Sequence, residues 1–588
     1  MINKTTLGLA IGLTLLTTHN AVADESMAMG VNGYQVSKPI LTVGETISDT
    51  SGAFNPSVMG DYTPPGVLDG LGAYELDDET VRVFANHELL HFRGYSYEVS
   101  DGSGGSFSMT GARVSYIDID KESKKIVDSG LAYNTIYDAN GEVAKDISFL
   151  ANDLSGFSRF CSAQLVEAGQ FGKSRRGFKK GLEDTIFFTG EEDGGFFNAV
   201  GGAEWALDVE TGDLWQVPDM GRGAWENITE INTGNRKQVA FLLADDTSPF
   251  DFDGGEDEAA PLYLYVGEKD PEGDFLARNG LRGGKLYVWV SDTGETSPLD
   301  FNGKGSLKGT WVEIDNSPSG IPSEDGSTGY DEYGYPTQGN LWLQAKAVGA
   351  FGFSRPEDLA TNPRNGREAV LASTGVDTFA VDPATGNGAD TFGTVYKIKT
   401  NIKKLTAKLT ILYDGDADPT RALRSPDNLE WADDGYIYVQ EDEAEEDSLT
   451  GEPLFGEGAA NPNEAGIVRL HPRKGKTMRV ANIDRSVVLD GSIPVPSDAV
   501  DVDAGFAGEW ESSGIVDVSD LFDEDEGTTF LFSVQAHGIE DQDQFNADSR
   551  IVDGDLVEGG QLLFLTRDDE DEEEEDDDDD DKDDDVNK

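Results

Sequence analysis

The sequence of 588 residues has a single cysteine, Cys161, and far fewer basic than acidic residues, 45 against 113. One cysteine excludes an internal disulfide. The net charge of −68 argues against nucleic acid and anionic membrane surfaces as partners, because like charges repel. Beyond the N-terminus no run is long and apolar enough to span a bilayer. The composition therefore favours cations or a saline surrounding, and no membrane span is expected.

Residues 1–23 read as a signal peptide. Lys4 supplies a positive charge, residues 5–18 are largely apolar, and Ala21-Val22-Ala23 matches the small-x-small pattern of a cleavage site. Paired arginines are lacking, which indicates export in the unfolded state without a preloaded cofactor. We therefore expect an exported protein, either periplasmic or extracellular.

Residues 568–588 form a second separate segment. They are almost entirely acidic and have nothing to bury, so they are predicted to be a disordered, solvated tail. Residues 24–567 are predicted to form one domain, which remains strongly acidic without the tail.

The body consists of short segments rich in aromatic and β-branched residues, bounded by Gly, Asp, Asn and Pro, which is the pattern of β-strands. Examples are residues 81–84, 114–118, 185–189, 238–243, 262–266, 285–290, 435–439 and 529–534. Residues 205–208 and 214–215 read as a hairpin. Amphipathic helices are scarce. The sequence predicts an all-β fold, a β-propeller with loop insertions in preference to stacked sandwiches, with loops at residues 251–257 and 317–335.

Polar clusters follow several of these strands, at positions where a propeller would gather its loops around a central channel. They are Asn86-His87-Glu88, Phe160-Cys161-Ser162, Gly190-Glu191-Glu192, Trp225-Glu226-Asn227, Asp245-Asp246, Arg355-Pro356-Glu357-Asp358, Pro426-Asp427-Asn428-Leu429, Gln440-Glu441-Asp442 and Gln535-Ala536-His537-Gly538. Carboxylate and amide oxygens suit Ca²⁺ or Mg²⁺, and a thiolate suits a transition metal such as iron or zinc.

Each signal taken singly has an ordinary structural alternative. Strands commonly end in Asp-rich turns, and a lone cysteine is often a small buried apolar side chain. Arg355 could pair with a surface carboxylate, and His87 could be a hydrogen-bonded structural histidine. The set as a whole, in its order along the chain, is the stronger signal.

That order of motifs resembles the PhoX family of bacterial alkaline phosphatases. The pieces that carry the resemblance are Asn86-His87-Glu88, Cys161 followed by Gly190-Glu191-Glu192, Glu226, Arg355-Pro356-Glu357, Pro426-Asp427-Asn428-Leu429 and Gln535-Ala536-His537-Gly538. They span nearly the whole body of the chain.

The resemblance implies a six-bladed propeller whose channel holds a cluster of calcium and iron ions, Ca²⁺ and Fe³⁺, that hydrolyses small phosphomonoesters. It implies that Cys161 is an iron ligand and that Arg355 clamps the phosphate, both being catalytic. The implied metal ligands are Cys161, Glu88, Glu191, Glu192, Glu226, Glu357, Asp427 and Asp442. The expected enzyme is an exported monomer.

Two segments depart from the family pattern. The Trp-Gly-Thr segment after the cysteine is replaced by Ser162-Ala163-Gln164-Leu165, and Gln-His-Pro-Gly appears as Gln535-Ala536-His537-Gly538. These departures and the acidic tail favour a second hypothesis, a non-catalytic calcium-binding propeller that acts as an extracellular or cell-surface binding protein. A third hypothesis is a propeller hydrolase of other esters or lactones.

Overall fold

The computed structural model describes residues 25–54, 60–150, 154–172, 179–195, 198–255, 257–319, 321–322, 327–442, 451, 453–489, 507–539 and 556–567. The predicted signal peptide and the predicted acidic tail lie outside these residues.

Strands dominate the described part of the chain, as the sequence predicted. In chain order, the first half contains β1 (Ala28–Gly30), β2 (Tyr34–Val36), β3 (Leu41–Thr42), β4 (Ile47–Thr50), β5 (Gly60–Tyr62), β6 (Leu68–Asp77), β7 (Thr80–His87), β8 (Tyr97–Ser100), β9 (Ser106–Gly111), β10 (Arg113–Asp120), β11 (Lys125–Leu131), β12 (Thr135–Tyr137), β13 (Gly156–Phe157), β14 (Phe160–Val166), β15 (Ile186–Glu191), β16 (Gly202–Asp208), β17 (Asp213–Gln216) and β18 (Arg222–Gly223). The second half contains β19 (Trp225–Glu230), β20 (Gln238–Asp245), β21 (Tyr263–Glu268), β22 (Lys285–Ser291), β23 (Gly305–Ile314), β24 (Pro356–Thr361), β25 (Glu368–Ser373), β26 (Thr394–Asn401), β27 (Thr406–Asp414), β28 (Pro426–Trp431), β29 (Ile437–Glu441), β30 (Gly466–Leu470), β31 (Thr477–Ile483), β32 (Glu511–Asp517), β33 (Thr529–Ala536) and β34 (Gly559–Arg567).

The helices are short. They are α1 (Phe275–Arg278), α2 (Gln338–Val348) and α3 (Ser486–Leu489), with 3₁₀ turns at Ile147–Phe149, Pro218–Met220, Ile402–Lys404 and Asp520–Phe522. Helix α2 was not predicted. Thr337 caps its first turn and Gly349 ends it in the left-handed conformation, with φ 76°. No helix in the described ranges has the length and apolar character needed to cross a bilayer.

The strands pair mainly in sequence order, which keeps each sheet local. The sheets have the orders β11-β10-β7-β6, β12-β17-β16-β15-β14, β19-β20-β21-β22-β23-β27-β26-β25-β24, β1-β31-β30-β29-β28 and β2-β34-β33-β32, with smaller sheets β13-β9-β8 and β4-β5. The predicted hairpin is confirmed as the antiparallel pair β16 and β17.

Six strands, which we call the ring strands, bring these sheets together. They are β6, β14, β19, β24, β28 and β32; each contacts the next along the chain, and the last contacts the first. The ring strands therefore close on themselves, and the sheets extend outward from them. Apolar side chains pack between neighbouring sheets, with Phe188, Phe241 and Tyr263 in one such layer and Tyr438, Phe530 and Leu563 in another.

Both ends of the described chain join this arrangement. Strand β1 pairs with β31, and β2 pairs with β34, both antiparallel. An N-terminal strand thus completes a sheet that is otherwise built from the C-terminal part of the chain, which ties the ring of sheets together.

Candidate metal centre

Each ring strand presents, at an equivalent position, one side chain that could ligate a cation. In β6, β14, β19, β24 and β28 this residue is second in the strand, and the pairing register shifts directly after it. Such a bulge bends the strand and re-aims side chains. With the corresponding residue of β32, these residues form a set that we call the acid ring: Asp69, Cys161, Glu226, Glu357, Asp427 and Glu511.

A second set lies above the acid ring. Four members each follow a residue that pairs with the start of a ring strand; for example, Phe160 pairs with Glu191 and Pro426 pairs with Glu441. The fifth member lies two residues after Gln535, which pairs with Glu511 at the start of β32. We call this set the upper group: Glu88, Glu192, Asp246, Asp442 and His537.

Distances within these sets are short enough for shared cations. Ligand atoms lie within 4.8 Å of one another in four overlapping groups, which run in order around the ring. The groups are Asp69 with Glu88 and Cys161; Cys161 with Glu192 and Glu226; Glu226 with Glu357 and Asp427; and Asp427 with Asp442 and Glu511. Above them is a cavity of about 370 Å³, lined by all five residues of the upper group together with Arg159 and Arg355.

Arg355 extends into this cavity from the residue before ring strand β24, where its φ is 56°. Its Nε and Nη2 donate to the two carboxylate oxygens of Asp246, each at 3.0 Å. Its Nη2 lies 3.2 Å from Glu357 Oε1, and its Nη1 lies 3.4 Å from Asp442 Oδ2. The guanidinium is therefore held over the acid ring by three carboxylates.

Arg159 occupies the equivalent position before β14, with φ 49°. Its Nη2 lies 3.1 Å from Glu88 Oε1, and it donates from Nε and Nη2 to Glu192 in a forked pair. The cavity lining thus contains three guanidinium groups, those of Arg93, Arg159 and Arg355, and eight carboxyl groups, which leaves a strong local excess of negative charge.

Burial and mutual repulsion act together on the acid ring. Burial, followed by the charges of Glu357 and Glu192, raises the pKa of Glu226 well above its usual range. Burial and the charge of Glu88 raise the pKa of Asp69 to about 7. Burial opposes ionisation of Asp246, but the adjacent Arg355 lowers its pKa below the usual value. Without bound cations, the carboxyl groups of the ring must keep part of their protons.

The residues present fit a cluster of cations. Asp69 Oδ1 and Glu226 Oε2 are buried and have no hydrogen-bond partner among the described residues. Burying an unpaired ion costs on the order of several kcal/mol, and a cation removes this cost by ligating the orphaned oxygens. The donor set combines carboxylate oxygens, which suit Ca²⁺, with one thiol, which suits a transition metal.

The structure brings together most of the side chains that the sequence singled out: Glu88, Cys161, Glu192, Glu226, Arg355, Glu357, Asp427 and Asp442. Glu191 does not join them. Its carboxylate accepts hydrogen bonds from Ala203 N at 3.2 Å and from Trp205 Nε1 at 3.3 Å. Burial raises its pKa to about 7.

Five further residues were missed or not assigned a role by sequence reasoning: Asp69, Arg159, Asp246, Glu511 and His537. His537 Nδ1 lies 2.6 Å from Glu558 Oε2, and its Nε2 lies 3.7 Å from Glu511 Oε2. A usable signal was present in the sequence, in the form of a recurring four-residue pattern. The pattern begins with a large apolar residue or proline, continues with an acidic residue and a small or polar residue, and ends with an apolar residue. It occurs in Leu68-Asp69-Gly70-Leu71, Trp225-Glu226-Asn227-Ile228 and Pro426-Asp427-Asn428-Leu429.

Fold and site together define an all-β protein in which a closed ring of strands surrounds buried carboxyl groups beneath a cavity. The profile of the family described as alkaline phosphatase PhoX matches residues 213–486, which include Glu226, Asp246, Arg355, Glu357, Asp427 and Asp442. The resemblance to the PhoX family is therefore confirmed over this part of the chain. A search against curated proteins found no match.

Among solved structures, the chain is similar to Pseudomonas fluorescens PhoX in complex with vanadate, a transition state analogue. The identity is 15%, the match covers 94% of this chain and 97% of that one, and the TM-score is 0.52. This likeness supports the fold. A putative 6-phosphogluconolactonase from Bacteroides fragilis NCTC 9343 matches at 11% identity over 79% of this chain and 94% of that one, with a TM-score of only 0.24.

Proposed function

We propose that this protein is a metal-dependent phosphatase that hydrolyses small phosphomonoesters in its cavity. The observation that carries the proposal is a closed ring of buried ligating groups with the guanidinium of Arg355 directly above it. Support comes from the family match, which spans Arg355 and half of the acid ring. The signal-like N-terminal sequence and the same resemblance support export to the periplasm or outside the cell, and the enzyme is proposed to act as a monomer.

The scaffold proposed for this site is a six-bladed β-propeller made of residues 24–567. Six ring strands that contact each other in closed order are what such a propeller places around its channel. Pairing of the N-terminal strands with the C-terminal sheets supports the same architecture.

The ligands proposed for calcium are the carboxylates of the acid ring and the upper group: Glu88, Glu192, Glu226, Glu357, Asp427 and Asp442, joined by Asp69 and Glu511. Cys161 is the proposed ligand for iron, since it is the single soft donor among them. When bound, such ions neutralise phosphoryl oxygens and position the attacking oxygen.

Arg355 is proposed to orient the substrate. Its forked N–H donors match the geometry of a phosphoryl group, and Asp246 holds the guanidinium in place from one side. Cations compete with Arg355 for the oxygens of Glu357 and Asp442, which frees donors for the substrate. Arg159 is held in the same manner by Glu192.

The test pairs metal content with activity on one sample. Full-length protein with calcium and iron supplied should hydrolyse a chromogenic phosphomonoester, and a chelator should abolish turnover. Arg355→Ala should lower kcat/KM by about 10²–10³ because a charged donor to the phosphoryl group is lost, with an unchanged circular dichroism spectrum. Lys285→Ala, which removes an exposed ion pair with Glu313, is the control and should keep full activity.

The non-catalytic calcium-binding hypothesis is favoured by one observation, which is that both Arg159 and Arg355 already pair with carboxylates. Metal-loaded protein that binds calcium but shows no chelator-sensitive turnover would establish that hypothesis and overturn the phosphatase. A panel of lactones run beside the phosphomonoester tests the third hypothesis.

A further inference from the structure

A second, smaller chamber lies in the same channel on the far side of the acid ring. Its lining comes from residues that follow the acid-ring position along the ring strands, among them Ser162, Asn227, Asp358 and Glu430, and its volume is about 60 Å³. A water molecule occupies about 30 Å³ in the liquid. The chamber therefore has room for one ion with one or two waters.

Two carboxyl groups contribute to this chamber. Asp358 is 4% exposed, and its oxygens accept hydrogen bonds from the backbone N–H groups of Leu359 at 2.5 Å and Leu429 at 2.7 Å. These contacts fix the carboxylate and leave lone pairs for another partner. Within the described residues, no lysine or arginine pairs with Glu430. Burial and the charges of Asp517 and Asp358 raise the pKa of Glu430 well above its usual range.

An orphaned amide oxygen is the independent sign of a ligand. Asn227 is 4% exposed, and its Nδ2 donates to Ser162 Oγ at 2.8 Å and to Ala163 O at 3.3 Å. The carbonyl oxygen of Ala163 can only accept, so the orientation of the amide is fixed. Asn227 Oδ1 then has no partner among the described residues, although it is a buried acceptor on a chamber wall.

We infer that this chamber is a separate divalent-cation site, with Ca²⁺ as the fitting ion, ligated by Asp358, Glu430 and Asn227 Oδ1. The ligands are hard oxygens, two of them from carboxyl groups, and calcium accepts such oxygens together with waters. The ligands come from β24, β28 and β19, so the ion links three ring strands. Its role is structural, and it does not depend on whether the cavity above is a phosphatase.

The test uses full-length protein stripped with chelator and titrated with CaCl₂ alone, with bound calcium counted by elemental analysis. Glu430→Gln should bind about one Ca²⁺ fewer per chain, or bind it at least about tenfold more weakly because a charged ligand is lost. Its calcium-induced rise in Tm should also shrink. Glu230→Gln is the control, since Glu230 is a buried glutamate of ring strand β19 that contacts Gln170 rather than the chamber, and this variant should bind as many ions as the unmodified protein.

Asp358→Asn removes a proposed ligand of the same ion from another strand. If Glu430→Gln does not fold, this variant tests whether the chamber binds calcium. Unchanged calcium stoichiometry and affinity in the folded variants would overturn the inference. Phosphatase activity of the unmodified protein is measured separately. If Glu430→Gln loses the chamber ion but keeps phosphatase turnover, the chamber site is separate from the proposed function. If the unmodified protein binds the chamber ion but shows no phosphatase turnover, the proposed function fails while this inference stands.

Discussion

Glu191 and Glu192 are adjacent carboxylates that reach different surroundings. Glu191 is the last residue of β15 and pairs with Phe160, whereas Glu192 follows it and meets Arg159. Successive side chains of an extended chain point to opposite sides, so one residue of register decides which carboxylate enters the cavity. The sequence predicted both glutamates as metal ligands, but the strand pairing directs only Glu192 towards the cavity.

Replacing Glu191 or Glu192 with glutamine should therefore have different effects on metal binding and turnover. Glu192→Gln should lower bound metal and reduce turnover by about tenfold or more, because it removes a charged ligand and the partner of Arg159. Glu191→Gln should keep metal content and turn over within about twofold, since its amide oxygen still accepts from Trp205. Steady-state kinetics and elemental analysis of both variants provide the measurement. Equal losses of metal in both would contradict this assignment of faces.

Single residues show why only part of the site could be found from sequence. Arg355-Pro356-Glu357 and Cys161 stand out as residue types, but Asp69 and Glu511 look like any other acidic turn residue in a chain with 113 of them. They meet only because β6 and β32, which are over 400 positions apart, are neighbours in the ring.

At the scale of strands, the same backbone feature is repeated at the start of several ring strands. Val67, Arg159, Arg355 and Ser425 each precede a ring strand and each have a positive φ, between 40° and 56°. This conformation costs about 1–2 kcal/mol for a residue with a side chain. The same backbone conformation recurs before four ring strands. A residue with positive φ turns the chain sharply into the strand, and the bulge that follows points the side chain of the acid ring inward.

Close approach of the ring strands should make Gly70 sensitive to substitution. A Cβ at this position would lie 2.3 Å from Ala163 N and 2.4 Å from Ser162 C, so Gly70→Ala must push β6 away from β14. We expect a loss of about 1–3 kcal/mol in the free energy of unfolding and weaker metal binding through displacement of Asp69 and Cys161.

Gly283→Ala is the control for this strand contact. Gly283 has φ 72° and open space around it, so the substitution costs only backbone strain and should leave metal binding unchanged. Denaturant unfolding and metal titration of the two variants distinguish these effects. Normal metal affinity in Gly70→Ala would show that the ring strands have room to separate.

At the scale of the whole molecule, the cluster of buried carboxyl groups makes the free energy of unfolding depend on bound metal and on pH. Burial first, and then neighbouring carboxylates, raise the pKa values of Glu226, Glu357 and Asp427, and Asp69 is raised to about 7. The folded metal-free protein therefore binds more protons than the unfolded chain, in which carboxyl groups titrate near pH 4.

The metal-free protein should accordingly lose stability as pH rises. Raised carboxyl pKa values contribute stability that is complete below about pH 4 and is lost as pH passes through about 7. With calcium present the trend should weaken or reverse, because the ligands bind metal in their ionised form. Thermal unfolding between pH 5 and 8, with chelator and with calcium, measures this. A metal-free Tm that rises with pH over this range would contradict it.

The sequence by itself determined the strand-rich character of the chain, its acidity and the residue types available for cation binding, because these follow from local pattern and composition. Tertiary structure decided which carboxyl groups meet. The acid ring takes one residue from each of six strands spread over more than 400 positions, so its membership depends on strand order, register and bulges. Acidity alone therefore predicted an affinity for cations, and ring closure decided where that affinity is concentrated.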